Sequence, residues 1–127
     1  MISQKAVIAI DLGGTKLALG KVVGSQINNY STLPIPINIK KESLINLIIE
    51  STKKLMNSDI VGIGIGVPSV VDTRAGVVYD VQNIPAWDEV PIKSILENVF
   101  QVPVEVNNDA NCFMLGEMLY VRRNAIC

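Results

Sequence analysis

The 127 residues contain no histidine, which removes Ser-His and Cys-His nucleophilic catalysis, imidazole acid–base chemistry and the common His-containing zinc sites. Any proton transfer falls to carboxylates or to a metal. Cysteine is almost absent as well. Cys112 and Cys127 are the only two, far below the density of a disulfide-stapled secreted scaffold, so a reduced, cytoplasmic protein is expected. Charge of either sign is scarce: 11 basic and 12 acidic residues leave a net charge of −1. No basic field is therefore available for nucleic acid or for an anionic membrane surface. No stretch of roughly 18 uncharged apolar residues occurs. The start, Met1-Ile-Ser-Gln-Lys5, lacks the apolar region that precedes a cleavage site. Neither a membrane span nor an export signal is expected.

What the chain has in quantity is apolar side chains, 49% of residues, with a mean hydropathy of +0.36. That composition excludes the disordered class, and the length suits a single core. Lys5 to Asp11 is a continuous apolar run closed by an aspartate and Gly13-Gly14, the pattern of a buried central strand and a tight turn. Thr15 to Val23 reads as a second strand returning antiparallel beside it. A third candidate runs from about Gln26 to Pro36, with turn character at Asn28-Asn29 and prolines that suit an edge. From Glu42 to Met56 the period changes to helical through Leu44, Leu47, Ile48 and Leu55. Ile60 to Val67 is apolar wherever it is not glycine, which predicts a strand covered on both faces and stopped by Pro68. Val70 to Asp80 predicts two short strands joined by a turn at residues 73–76.

Pro91 suits the first turn of a second helix over Ile92 to Gln101, with Ile92, Ile95, Leu96, Val99 and Phe100 on one face. Val102 to Val106 predicts a further strand. A third helix is expected from Asn108-Asp109 onward, its apolar face formed by Cys112, Phe113, Leu115, Met118 and Leu119. The order βββαβαβα predicts an α/β layer fold with a mixed sheet.

Two aspartates, Asp11 and Asp109, fall at strand exits, where open α/β sheets place their ligand crevice. In Asp11-Leu-Gly-Gly-Thr-Lys16 the glycines allow close backbone approach to an anion. Thr15 and Lys16 can donate to phosphate oxygens, and Asp11 can orient a hydrated Mg²⁺. The same six residues also read as a plain hairpin turn. The motif is not a P-loop, since the spacing differs and a strand follows. Gly62, Gly64 and Gly66 alternate inside an apolar strand with Pro68 beyond, which excludes a dinucleotide-binding fingerprint. Gly62 and Gly64 read as packing residues and Gly66 as a crevice residue. Asp109 reads either as a helix cap or as a general base accepting a proton from a substrate hydroxyl, with Asn108 fixing the pose. Asn83 reads as a turn residue or a polar contact, and Trp87 as a packing anchor of its loop or, second, as a ring that stacks on a sugar.

Four motifs in order, Asp11-Leu-Gly-Gly-Thr-Lys16, Gly62-Ile-Gly-Ile-Gly-Val-Pro68, Asn83-Ile-Pro-Ala-Trp87 and Asn108-Asp-Ala-Asn-Cys-Phe-Met-Leu-Gly-Glu117, resemble the N-terminal half of ROK-family sugar kinases. That group includes glucokinases, fructokinases and N-acetylmannosamine kinases. The resemblance implies an actin-like (ribonuclease H-like) ATPase domain over residues 1–120, with an atypical tail at 121–127 that points to truncation or a frame shift. It implies Asp109 as catalytic base, and Asn83, Asn108, Asp109, Gly66 and Ser69 toward a small-molecule sugar. Gly13, Gly14, Thr15 and Lys16 would meet the transferred phosphoryl group, and Asp11 would help hold Mg²⁺. The cofactors implied are ATP and Mg²⁺, without the zinc site that the family carries in its second half. Ser69 stands where the family usually has glycine and Asn107 where it usually has glutamate. The adenosine pocket belongs to the family's second half, so the chain is expected to be inactive alone. It would act through a complementary C-terminal half or as a homo-oligomer. The alternative is a non-catalytic sugar-sensing or protein-interaction module related to ROK transcriptional regulators. Asp11 arrives too early to leave room for their helix-turn-helix region, so no nucleic acid partner is expected.

Overall fold

The first strand, β1 (Ala6–Leu12), alternates its side chains between two apolar environments and is buried along almost its whole length. This is what a run without polar interruption requires of a central strand. The computed structural model describes residues 5–24, 26–67, 71–72, 77–79 and 89–107. β2 (Lys16–Val23) returns antiparallel to β1, pairing Leu12 with Leu17 and Val7 with Val22. β3 (Gln26–Pro34) pairs with β2 at the sheet edge and is exposed at every residue except Leu33. Between the pairs Leu19↔Ser31 and Lys21↔Asn28 the register slips by one residue. Asn29, with φ of 54°, sits in this bulge, so the Asn-Asn pair bends a strand instead of ending one.

Helix α1 (Lys41–Lys53) follows. Leu44 and Ile48, one turn apart, are both fully buried, and each side chain contributes roughly 1.5–3 kcal/mol by leaving water. Thr52 is also buried, its hydroxyl donating to the Ile48 carbonyl at 2.7 Å. The exit is an Asx turn in which the Asp59 N–H donates to Asn57 Oδ1 at 2.8 Å. From there β4 (Ile60–Gly66) runs parallel to β1. Its two-sided burial agrees with the expectation for Ile60 to Val67.

A small antiparallel sheet comes next: β5 (Val71–Asp72), β6 (Val77–Tyr79) and β7 (Glu89–Val90). The first two are the expected ribbon. The third is additional, and Val90 is buried in the main core. Helix α2 (Ile92–Phe100) has Pro91 as its N-cap residue, one position earlier than the first turn expected of it. Ile92 and Leu96 carry its packing, while Val99, expected on the same face, is 42% exposed. Gln101 ends the helix in the left-handed conformation, φ 59°. Its side-chain amide donates to the Asn98 carbonyl at 2.8 Å, satisfying one of the helix's last acceptors.

The last described strand, β8 (Val104–Asn107), lies parallel to β4. The five-stranded sheet therefore has the order β3-β2-β1-β4-β8, the mixed sheet expected, with the βββαβαβ sequence of elements intact around the inserted ribbon. The final helix expected of the order lies outside the described residues. Both parallel crossovers, β3 to β4 through α1 and β4 to β8 through α2, put their helices on the same face: the buried residues of α1 and α2 join one cluster with Ile8, Ile10, Ile63 and Ile65. One handedness of crossover produces this.

α2 also supports β8 directly, since the Val104 N–H donates to Glu97 Oε2 at 3.0 Å. Replacing Glu97 with alanine strands that part-buried N–H and is expected to cost ~1–2 kcal/mol in urea unfolding. Glu97→Gln keeps an acceptor and should stay within ~0.5 kcal/mol of the parent. Equal stability of the two variants would show that the bond contributes nothing.

Candidate functional site at the carboxyl ends of the parallel strands

Register decides which residues meet. Ala6 pairs with Ile60, but a bulge then makes Val7 pair with Gly62, so that Asp11 pairs with Gly66. Carried through without the bulge, the Ala6↔Ile60 register would put Asp11 opposite Ile65. The bulge thus aligns the glycines of β4 with Val7, Ala9 and Asp11, on the sheet face away from the two helices. On β8, Asn107 pairs with Gly66. Asp11, Gly66 and Asn107 form one level row across three parallel strands. With strands ~4.8 Å apart, the Cα atoms of Asp11 and Asn107 are ~10 Å from each other. On its other side Asp11 pairs with Ala18. The carboxylate, half-buried, is therefore flanked by a methyl group and a bare backbone.

The turn that continues β1 stands at the same end of the sheet. Gly13 N–H donates to the Lys16 carbonyl at 2.8 Å, and the Ile35 N–H, from the connection after β3, donates to the Thr15 carbonyl at 2.8 Å. Two carbonyls are thus tied back into the protein. Among the described residues no backbone acceptor takes the N–H of Gly14 or Thr15. A turn whose carbonyls are bonded while two N–H groups have no backbone partner is suited to an anion, and Lys16, exposed beside it, adds a positive charge. Gly13 is required by space: a Cβ there would lie 3.1 Å from the Lys16 carbonyl oxygen. Of the two readings of the sequence, the hairpin is the one formed by the pairing of β1 with β2.

Of the residues expected at the site, Asp11, Gly13, Gly14, Thr15, Lys16 and Gly66 come together at this end. Ser69, Asn83, Asn108 and Asp109 lie outside the described residues. Two features of this end were not read from the sequence. One is the pairing of Asn107, noted there only as a departure from the family pattern, with Gly66, and the other is the Ile35 N–H that fixes the turn. Neither has a local signature, since a strand register and a backbone contact between distant residues leave no motif. Asp11 is one hard oxygen donor suited to a hydrated divalent cation. Among the described residues no group of three His, Cys, Asp or Glu side chains is placed to hold a metal. No helix among them is long and apolar enough to cross a membrane.

Comparison with known proteins bears on what this end of the sheet serves. The ROK family profile matches residues 7–126. A glucokinase of Streptomyces coelicolor is 34% identical over 125 residues, covering 94% of this chain and 39% of the relative. A xylose repressor of Caldicellulosiruptor bescii is 36% identical over 119 residues, covering 88% of this chain and 30% of the repressor. Among solved structures, a ROK family glucokinase from Streptomyces griseus in complex with glucose and AMPPNP superposes with a TM-score of 0.72 at 30% identity. That superposition covers 84% of this chain and 34% of the other. The chain therefore spans between 30% and 39% of the length of these relatives, and its α/β fold is theirs, the actin-like ATPase fold.

Proposed function

Because the chain belongs to the ROK family, we propose that its residues 1–120 form the sugar- and phosphate-binding wall of an ATP-dependent sugar kinase. The reaction is phosphoryl transfer from ATP to a hexose hydroxyl. The observation that supports this best is the shared end of the sheet. The Asp11–Gly66–Asn107 row and the Gly13–Lys16 turn open on the same side, and the chain enters Asn108-Asp109 directly from that row.

In this reading Asp109 accepts the proton of the attacking hydroxyl as its oxygen bonds to the terminal phosphorus and the bond to the departing ADP oxygen breaks. Asn108 and Asn83 hold neighbouring hydroxyls, and the backbone at Gly66 and Ser69 forms the floor beneath the ring. The N–H groups of Gly14 and Thr15, with Lys16, receive the phosphoryl oxygens. Asp11 is the residue that would orient Mg²⁺ through water. When bound, that ion neutralises charge on the phosphates.

Such catalysis is chiefly positioning, and one wall of a cleft positions neither ATP nor the sugar fully. The 127 residues by themselves are expected to bind sugar weakly, with Kd of ~1–10 mM, and to need a C-terminal half for turnover. Calorimetric titration of the chain with glucose, fructose, mannose, xylose, N-acetylglucosamine and N-acetylmannosamine tests this. Heat of binding for at least one sugar is expected, and none for any of them at ~50 mM, well above that range, would remove the sugar-binding part of the proposal.

The identity to a xylose repressor supports a second reading, a sugar sensor without chemistry. It predicts sugar binding with no ADP formed even after a kinase C-terminal half is supplied.

A further inference from the structure

Just past the register pair Lys16↔Pro34, the ladder between β2 and β3 ends in a rung made in one direction only. An antiparallel rung of the hydrogen-bonded kind exchanges two bonds, one from each residue. Here the Ile35 N–H donates to the Thr15 carbonyl at 2.8 Å, and among the described residues no backbone bond returns from the Thr15 N–H to Ile35. Thr15 gives its acceptor to the ladder and keeps its donor. Gly14, one residue earlier, keeps its donor as well.

The sequence around Ile35 concentrates this contact in a single residue. Pro34 and Pro36 stand on either side of it, and since neither has an amide hydrogen, Ile35 carries the only backbone donor of residues 34–36. Each proline ring also restricts the residue before it to extended backbone, which keeps Leu33 and Ile35 in line with the strand. The chain then turns at Ile37-Asn38, where Asn38 takes a φ of 61°. The Ile35 side chain is 7% exposed and belongs to the helix-side cluster with Leu17, Leu44 and Ile48. A donor stiffened along its backbone and anchored through its side chain has little freedom to swing away from its acceptor.

We propose that Ile35 is a positioning residue for the Gly13–Lys16 turn: its one-sided bond to Thr15 holds the Gly14 and Thr15 N–H groups in the arrangement that receives phosphate oxygens. Ile35 itself touches no phosphate. The inference rests on the phosphate-binding role proposed for residues 13–16 and says how that role is prepared, because a turn formed in advance binds without first having to order itself. When the bond is lost the turn samples other conformers, and the apparent dissociation constant rises by the inverse of the fraction still competent. A turn competent one fifth of the time binds ~5-fold more weakly.

The probe is inorganic pyrophosphate, titrated into the full chain at constant ionic strength while the amide signals of Gly14 and Thr15 are followed by two-dimensional NMR. Both signals are expected to shift in the parent. Ile35→Pro removes the N–H and keeps an apolar ring at the position, and it is expected to weaken binding at least ~5-fold. Ile35→Val keeps the N–H, loses one methylene and is expected to bind within ~2-fold of the parent. No shift of either amide in the parent at ~50 mM would remove the phosphate role of the turn, and this inference with it. With those shifts present, binding by a folded Ile35→Pro within ~5-fold of the parent would overturn the positioning role alone, as would an equal loss in Ile35→Val. If Ile35→Pro does not fold, deuterium exchange at the Ile35 amide of the parent decides. Pyrophosphate at about ten times its Kd is expected to slow that exchange at least ~5-fold, and a smaller effect overturns the proposal.

Discussion

Asp109→Asn is expected to reduce sugar phosphorylation by ~10³-fold, within the 10²–10⁴ that a positioned general base supplies. The measurement is ADP release from the chain supplemented with the C-terminal half of a ROK glucokinase, with parent and variant assayed side by side. The sugar KM should move only a few-fold, because asparagine keeps the size and most of the hydrogen bonding of the carboxylate while losing its affinity for a proton. That split separates a base from a binding group: a residue that merely holds the sugar would raise KM and leave kcat standing. Activity of the variant within ten-fold of the parent would exclude Asp109 as the base. The unsupplemented chain should release no ADP above background, since the groups that align ATP are missing from one wall of the cleft.

The largest loss of stability is expected from Ile10→Ala, ~3–4 kcal/mol in urea unfolding. Ile10 is fully buried in the middle of the central strand, paired with Leu19 on β2 and Ile65 on β4, and belongs to the cluster that both helices join. Neighbours fixed in three strands cannot collapse into the space left behind, so the upper part of the range for such deletions applies. A domain of this size has only ~5–15 kcal/mol to lose. The loss also reaches the crevice, because Ile10 immediately precedes Asp11 and helps hold β1 in register. A change under ~1 kcal/mol would mean that the helix-side core is not packed as described.

Most of this architecture is legible in the chain itself. β1, β4 and α1 announce themselves through two kinds of apolar pattern, continuous and helical, and their ends fall within a few residues of the expected ones. β7 escaped because two residues carry no period; Glu89-Val90 is a strand only by virtue of its pairing with β6. Asn28-Asn29 was legible as a backbone irregularity but not as a bulge, since the left-handed conformation of Asn29 serves a turn and a bulge equally. The aspartate and glycines of the site were visible as types. Their alignment was not, because it depends on a bulge at Ile60–Val61 that moves the partner of Asp11 from Ile65, which the Ala6↔Ile60 register would give it, to Gly66. Periodicity can say which face a residue occupies within its own strand, while only the pairing tells which neighbour it meets.

The two margins of the five-stranded sheet carry a consequence for how copies of the chain behave in a crowded solution. The outer rim at β3 is kinked by Asn29, and at the opposite rim the Glu97 carboxylate already occupies an amide of Val104. An incoming polypeptide seeking to lengthen the sheet meets a bent template on one side and a partly capped one on the other, so growth into filaments is obstructed at both rims.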